Sequence, residues 1–139
     1  MGLLVHPLPA NHVVEEGGQA VRYLVEEHRH SLLYATDGAW LLKPVWQALQ
    51  ARSGTTIVCD ATHGETPGDW RIPEHSSVDM IRLILRTLGQ RGVADARAPV
   101  FLTRMAPALC APHREMAARL AAEGLTPAPD GWVVPWGDG

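Results

Sequence analysis

The order of apolar and polar residues divides the chain into short β-type and α-type segments. Leu3–Leu8 is a short apolar stretch that predicts a strand stopped by Pro9. Val21–Glu27 and Ser31–Thr36 are β-rich runs on either side of the polar His28-Arg29-His30, which predicts a hairpin. Across Leu41–Arg52 the apolar residues Leu42, Val45, Trp46 and Leu49 recur at helical spacing, and Ser53-Gly54 ends the pattern. Thr55–Ala61 is almost continuously apolar and of strand length, as in a strand buried on both faces. A loop from Thr62 to Glu74 follows. Ser76 or Ser77 then caps a helix over Val78–Leu88, with Met80, Ile81, Ile84, Leu85 and Leu88 on one side. Pro99–Thr103 predicts another buried strand. Pro112–Glu123 predicts a helix with Pro in its first turn and Gly124 at its end. Leu125–Pro129 and Trp132–Trp136 predict a closing hairpin around Asp130-Gly131. Strands first and strand–helix alternation afterwards define an α/β class with a mixed sheet flanked by helices.

Composition narrows the function classes. The 139 residues are 46% hydrophobic and 19% charged, a globular balance that fits one domain over 1–139. A formal charge of −3 argues against nucleic-acid binding by charge alone. No stretch has the length and apolarity of a membrane span, and the first residues lack the basic start of a signal peptide, so the expected location is cytoplasmic. Cys59 and Cys110 match no zinc or redox spacing and are expected as two buried thiols.

Seven histidines invite a metal reading. His28 and His30 fall in the expected hairpin turn and read as solvated surface. His6 and His113 read as structural or exposed. Better placed are His12 after the first strand, Asp37 after the third, and Asp60 and His63 after the most buried strand. Loops at strand carboxyl ends are where α/β sheets place ligands. Aspartate is depleted in strands and costly to bury unpaired, so Asp37 and Asp60 each call for a metal, an arginine or a capping amide. Capping or a turn alone would explain either one. Trp46 and Trp132 read as core or interface packing, and Trp70 as a loop aromatic. No metalloprotease, nucleophile-elbow or phosphate-loop string is present.

The segments Pro7–His12 (PLPANH), Leu32–Asp37 (LLYATD), Ile57–Glu65 (IVCDATHGE), Glu74–Gly89, Val100–Met105 (VFLTRM) and Ala128–Val134 occur in an order that resembles a metallo-β-lactamase-fold hydrolase. The likeness is to the C-terminal half of that fold, and nearest to the cyclic phosphodiesterase branch of phosphonate utilisation. It implies one half of a four-layer αββα fold. It implies His12 as a metal ligand, Asp37 as a carboxylate bridging two ions, and zinc or manganese as the cofactor. It also implies His75 as a catalytic group assisting the leaving group, with Asp60 and His63 in supporting catalytic positions. The family's HxHxDH motif is absent from this chain, and its strand-end Leu-Thr-His is here Leu102-Thr103-Arg104. Arginine cannot ligate a metal, so Arg104 is expected to pair with Asp37 or Asp60, or to bind a substrate phosphate.

Half of such a fold would leave one sheet face bare. Five or six strands present roughly 500 Å². A second copy or a separate N-terminal half-domain chain would cover it. Three readings follow. The chain is a metal-dependent, phosphodiesterase-type hydrolase module completed by a partner and acting on a small phosphodiester. Alternatively it is a non-catalytic interaction or structural remnant in which Arg104 replaced a metal ligand. Or it is an incomplete piece of an ordinary family enzyme.

Overall fold

The computed structural model describes residues 2–67, 75–93 and 98–136. Its centre is one six-stranded sheet whose strands lie side by side in chain order. They are β1 (Leu4–Pro9), β2 (Val21–Glu27), β3 (His30–Ala35), β4 (Thr56–Asp60), β5 (Val100–Thr103) and β6 (Leu125–Pro127). The first two pairings are antiparallel and the last three parallel, so the mixed α/β class read from the sequence is the one observed. Two reversals make β1 run the same way as β3, β4, β5 and β6. The carboxyl ends of five strands therefore meet at one edge.

The helices are α1 (Lys43–Leu49), α2 (Val78–Gln90) and α3 (His113–Leu120). Pro44 sits in the first turn of α1, which begins two residues later than the apolar spacing suggested because Leu42 is extended. Ser77 caps α2, its hydroxyl accepting from the Met80 amide at 3.3 Å. All three helices bury their apolar sides against one face of the sheet. Leu24, Leu33, Ile57, Cys59, Leu102 and Leu125 from the strands join Val45, Leu49, Ile81, Leu88, Met116 and Leu120 in one core. Each such Leu or Ile contributes about 1.5–3 kcal/mol by leaving water.

Alternation along the strands explains the second face. Arg22 and Leu24 are buried while Val21 and Tyr23 are exposed, and Leu33 and Ala35 are buried beside exposed Tyr34. Among the described residues no helix covers the outward positions.

The C-terminal hairpin expected from the sequence does not form. Leu125–Pro127 pairs in parallel with β5, and residues 132–136 carry no strand. Pro127, Pro129 and Pro135 lack the amide donors a second ladder would need. The turn at Asp130-Gly131 survives, with the Trp132 amide donating to Pro129 O at 3.2 Å. The tail then crosses the outward face, Trp132 meeting Phe101 edge-to-face at 5.6 Å between ring centres. Three smaller expectations also change. Pro9 belongs to β1. Cys59 is buried and its thiol is pushed up to about 12 by burial, but Cys110 is only half-buried. His30 is half-buried, its ring 6.5 Å from that of Trp136. Trp46 packs against the core as expected, half-buried beside Trp40 and donating to Leu41 O at 2.6 Å. Trp70 lies outside the described residues.

Candidate metal centre

The shared direction of β1, β3, β4 and β5 carries the candidate residues to one edge. His12 follows β1, Asp37 follows β3, Asp60 ends β4 and Arg104 follows β5. His75 precedes the capping Ser77 of α2 and reaches the same edge. Two of these residues sit in the left-handed backbone region, Asp37 at φ 58° and Arg104 at φ 59°. Left-handed backbone at a non-glycine residue costs on the order of 1–3 kcal/mol, and such residues cluster at functional sites.

His12, Asp37 and His75 each offer one ligand atom, and the three atoms lie within 4.8 Å of one another. His12 Nε2 is 3.3 Å from Asp37 Oδ1, and His75 approaches the same oxygen with Nδ1 at 3.8 Å, the nitrogen bonded to Asp60, so a metal bond from His75 would have to use Nε2. The rings of His12 and His75 stand edge-on at 5.3 Å. Zinc held by ligands at about 2.0–2.1 Å in a tetrahedron separates them by roughly 3.4 Å. Two imidazoles and one carboxylate are a donor set of the kind a divalent ion takes, with the Arg104 guanidinium standing 3.1 Å from the same Asp37 oxygen. The resemblance implied two ligands, His12 and Asp37, with His75 assisting the leaving group; the structure brings His75 into the same cluster as those two. The signal for it was its place beside a helix cap at the same sheet edge, which only the register of β4 and the start of α2 reveal.

Asp60 is the buried anchor behind this trio, its side chain fully shielded. Oδ1 accepts from the Thr62 amide at 2.9 Å and the Thr62 hydroxyl at 2.7 Å. Oδ2 accepts from His75 Nδ1 at 2.8 Å and, more weakly, from the Gly38 amide at 3.4 Å. A carboxylate only accepts, so His75 carries its proton on Nδ1 and its lone pair on Nε2. A carboxylate behind an imidazole fixes the ring of a metal-binding histidine in this way.

Two cations border the acidic pair. Arg104 is half-exposed, with Nη2 3.1 Å from Asp37 Oδ1 and Nε 3.8 Å from Asp60 Oδ2. Arg22 is buried beneath the Asp37–Trp40 loop and donates to Ala39 O at 3.2 Å and Trp40 O at 3.1 Å. Burial lowers its pKa, and the nearby Cys59 and Asp60 work against that shift. Arg22 was missed in the sequence because it alternates with apolar neighbours in an ordinary strand. Gly38 has no side chain because a Cβ there would overlap the Arg22 guanidinium.

His63 lies at the rim. Its amide donates to Ser76 O at 3.0 Å, and its ring is 6.4 Å from that of His75, outside the converging trio. The neighbouring Gly64, at φ +53°, packs where a Cβ would press on Cys110 Sγ at 2.7 Å. His6 binds Glu26 at 2.6 Å and His113 binds Pro127 O at 3.0 Å, so both serve structure.

A scan of protein-family models gives no match, and no curated protein matches the chain in sequence. Among solved structures the chain is similar to Igni18, described as a novel metallo hydrolase from the hyperthermophilic archaeon Ignicoccus hospitalis KIN4/I. The TM-score is 0.63 at 13% sequence identity, over 96% of this chain and 52% of that one. The likeness is one of fold: this chain has the fold of a metallo hydrolase over about half that protein's length. Among the described residues no helix is long and apolar enough to cross a membrane.

Proposed function

We propose that this chain is a metal-dependent hydrolase module of the phosphodiesterase type. The observation that carries the reading is the convergence of His12, Asp37 and His75 at the strand carboxyl ends of a metallo-hydrolase fold. His12 Nε2, an Asp37 oxygen and the His75 lone pair would hold zinc or manganese. A divalent ion there supplies Lewis-acid polarisation and lowers the pKa of water. Asp60 positions His75 and keeps its tautomer. Arg104, permanently charged and half-exposed beside Asp37, is placed to take an anionic oxygen of a small phosphodiester. His63 stands at the rim, its ring 6.4 Å from that of His75. Arg104 stands on the same Asp37 oxygen that His12 and His75 approach, so an ion there would face its charge unless the guanidinium moved aside.

The test is hydrolysis of a bis-aryl phosphodiester by the zinc- or manganese-loaded chain. Turnover abolished by a chelator and by Asp37→Ala supports the reading. Turnover and metal content unchanged in Asp37→Ala would overturn it.

The 3.1 Å pair between Arg104 and Asp37 favours a second reading, in which the guanidinium has taken the metal's place and the module is non-catalytic. That reading requires no metal uptake by the wild-type chain.

A further inference from the structure

Arg22 is among the largest side chains wholly shut off from water, and it lies under the loop that carries Asp37. β2 runs against β1 and β3, so its first residues stand at the sheet edge where those two strands end. Arg22 sits there opposite Leu8, on the same helix-covered face as Leu24. Its guanidinium reaches into the loop, Nη2 donating to Ala39 O at 3.2 Å and Nη1 to Trp40 O at 3.1 Å. Nε finds no partner among the described residues.

Packing alone is a poor account of an arginine here. A buried guanidinium gives up its hydration, and this one recovers hydrogen bonds to two carbonyls among the described residues. A Met or Leu of similar volume would fill the strand position without that cost. What only the arginine supplies is a rigid fork that grips two successive carbonyls. Gly38 lies against the same fork, where a Cβ would come within 2.4 Å of Nη2, and its amide donates to Asp60 Oδ2 at 3.4 Å. Residues 38–40 are thereby held from below by groups of β2 and β4. Directly before them is Asp37, whose φ of 58° is left-handed and whose Oδ1 meets His12 and Arg104. An aspartate in that conformation persists only where its surroundings over-determine it.

We propose that Arg22 is a positioning residue: by clasping the Ala39 and Trp40 carbonyls it holds Asp37 where His12 and His75 converge. The inference rests on the metal-site reading above and adds to it a group buried behind the loop.

Zinc competition against a chromophoric chelator, with thermal melts of the same samples, tests it. Arg22→Met keeps the bulk and loses the fork, and should weaken zinc binding by roughly tenfold or more. Leu120→Ala, in the same core but at the far end of α3, should melt lower and keep the zinc affinity of the wild type. If Arg22→Met does not fold, Arg22→Lys carries the test. It keeps a charge but offers a point donor in place of the fork, so a loss of about threefold or more is expected. A smaller loss in the folded variant overturns the inference and leaves the metal site standing. So does an equal loss in Leu120→Ala, which would reduce Arg22 to general stability. A wild-type chain that takes no zinc overturns the metal-site reading itself, and this inference with it.

Discussion

Asp60→Asn exchanges one oxygen for an amide and removes one buried charge. The Asn carbonyl keeps the two bonds from Thr62, at 2.9 and 2.7 Å. The amide nitrogen then faces His75 Nδ1 and the Gly38 amide, where a donor meets donors. His75 must move its proton to Nε2 or lose the contact. A hydrogen bond to a charged group is worth about 1.5–3 kcal/mol. At about 3–5 °C per kcal/mol for a domain of this size, the melting temperature should fall by roughly 5–15 °C. The effect on the candidate centre is more diagnostic, because the lone pair that would face a metal is replaced by an N–H. Loss of an outer carboxylate behind a ligating histidine weakens metal binding about 10–100-fold. Zinc competition against a chromophoric chelator, read beside a thermal melt, separates the two effects. Zinc affinity within twofold of wild type, at any melting temperature, would refute the role given to Asp60.

Gly38→Ala forces a Cβ onto the Arg22 guanidinium, which is held by two carbonyls and has nowhere exposed to go, so a loss of about 1–3 kcal/mol is expected from urea unfolding. Stability should fall in acid, because the Arg52 guanidinium bonded to Glu26 holds that carboxyl below its usual value of 4.5, with Arg82 acting likewise on Glu123. A depressed carboxyl contributes stability above its unfolded pKa and loses it as pH drops through the folded one, so melting temperatures should decline below about pH 4.5 and Glu26→Gln should decline less steeply.

The mixed sheet, most of its strands and the three helices were legible because alternation and helical spacing report burial directly. The pattern around Leu24 and Leu33 pointed to one buried face, and Ser76 or Ser77 before a helical run marked a helix start, which the structure places at Ser77. The closing hairpin was not legible, since Trp132–Trp136 has the composition of a strand and only the prolines spoke against it. At the site, Asp37 and Asp60 were found because aspartates directly after apolar strands are unusual, His12 by its loop after the first strand, and Arg104 only through the resemblance, where it stands in place of a strand-end histidine. The expectation that Arg104 pairs with Asp37 or Asp60 matches the geometry, in which it touches both. The sharing of one Asp37 oxygen by His12 and His75 was not legible. It depends on β1 running parallel to β3 through two reversals and on the loop before α2 returning to the same edge. Arg22 was invisible for a related reason: burial of a guanidinium under a loop is a tertiary fact that no local pattern encodes.

The central claim is that His12, Asp37 and His75 form one divalent-ion site. Native mass spectrometry of the chain equilibrated with zinc measures this most directly. One ion per chain, lost in both His12→Ala and Asp37→Ala, is the predicted result. A metal-free chain, or an ion retained by both variants, would contradict it.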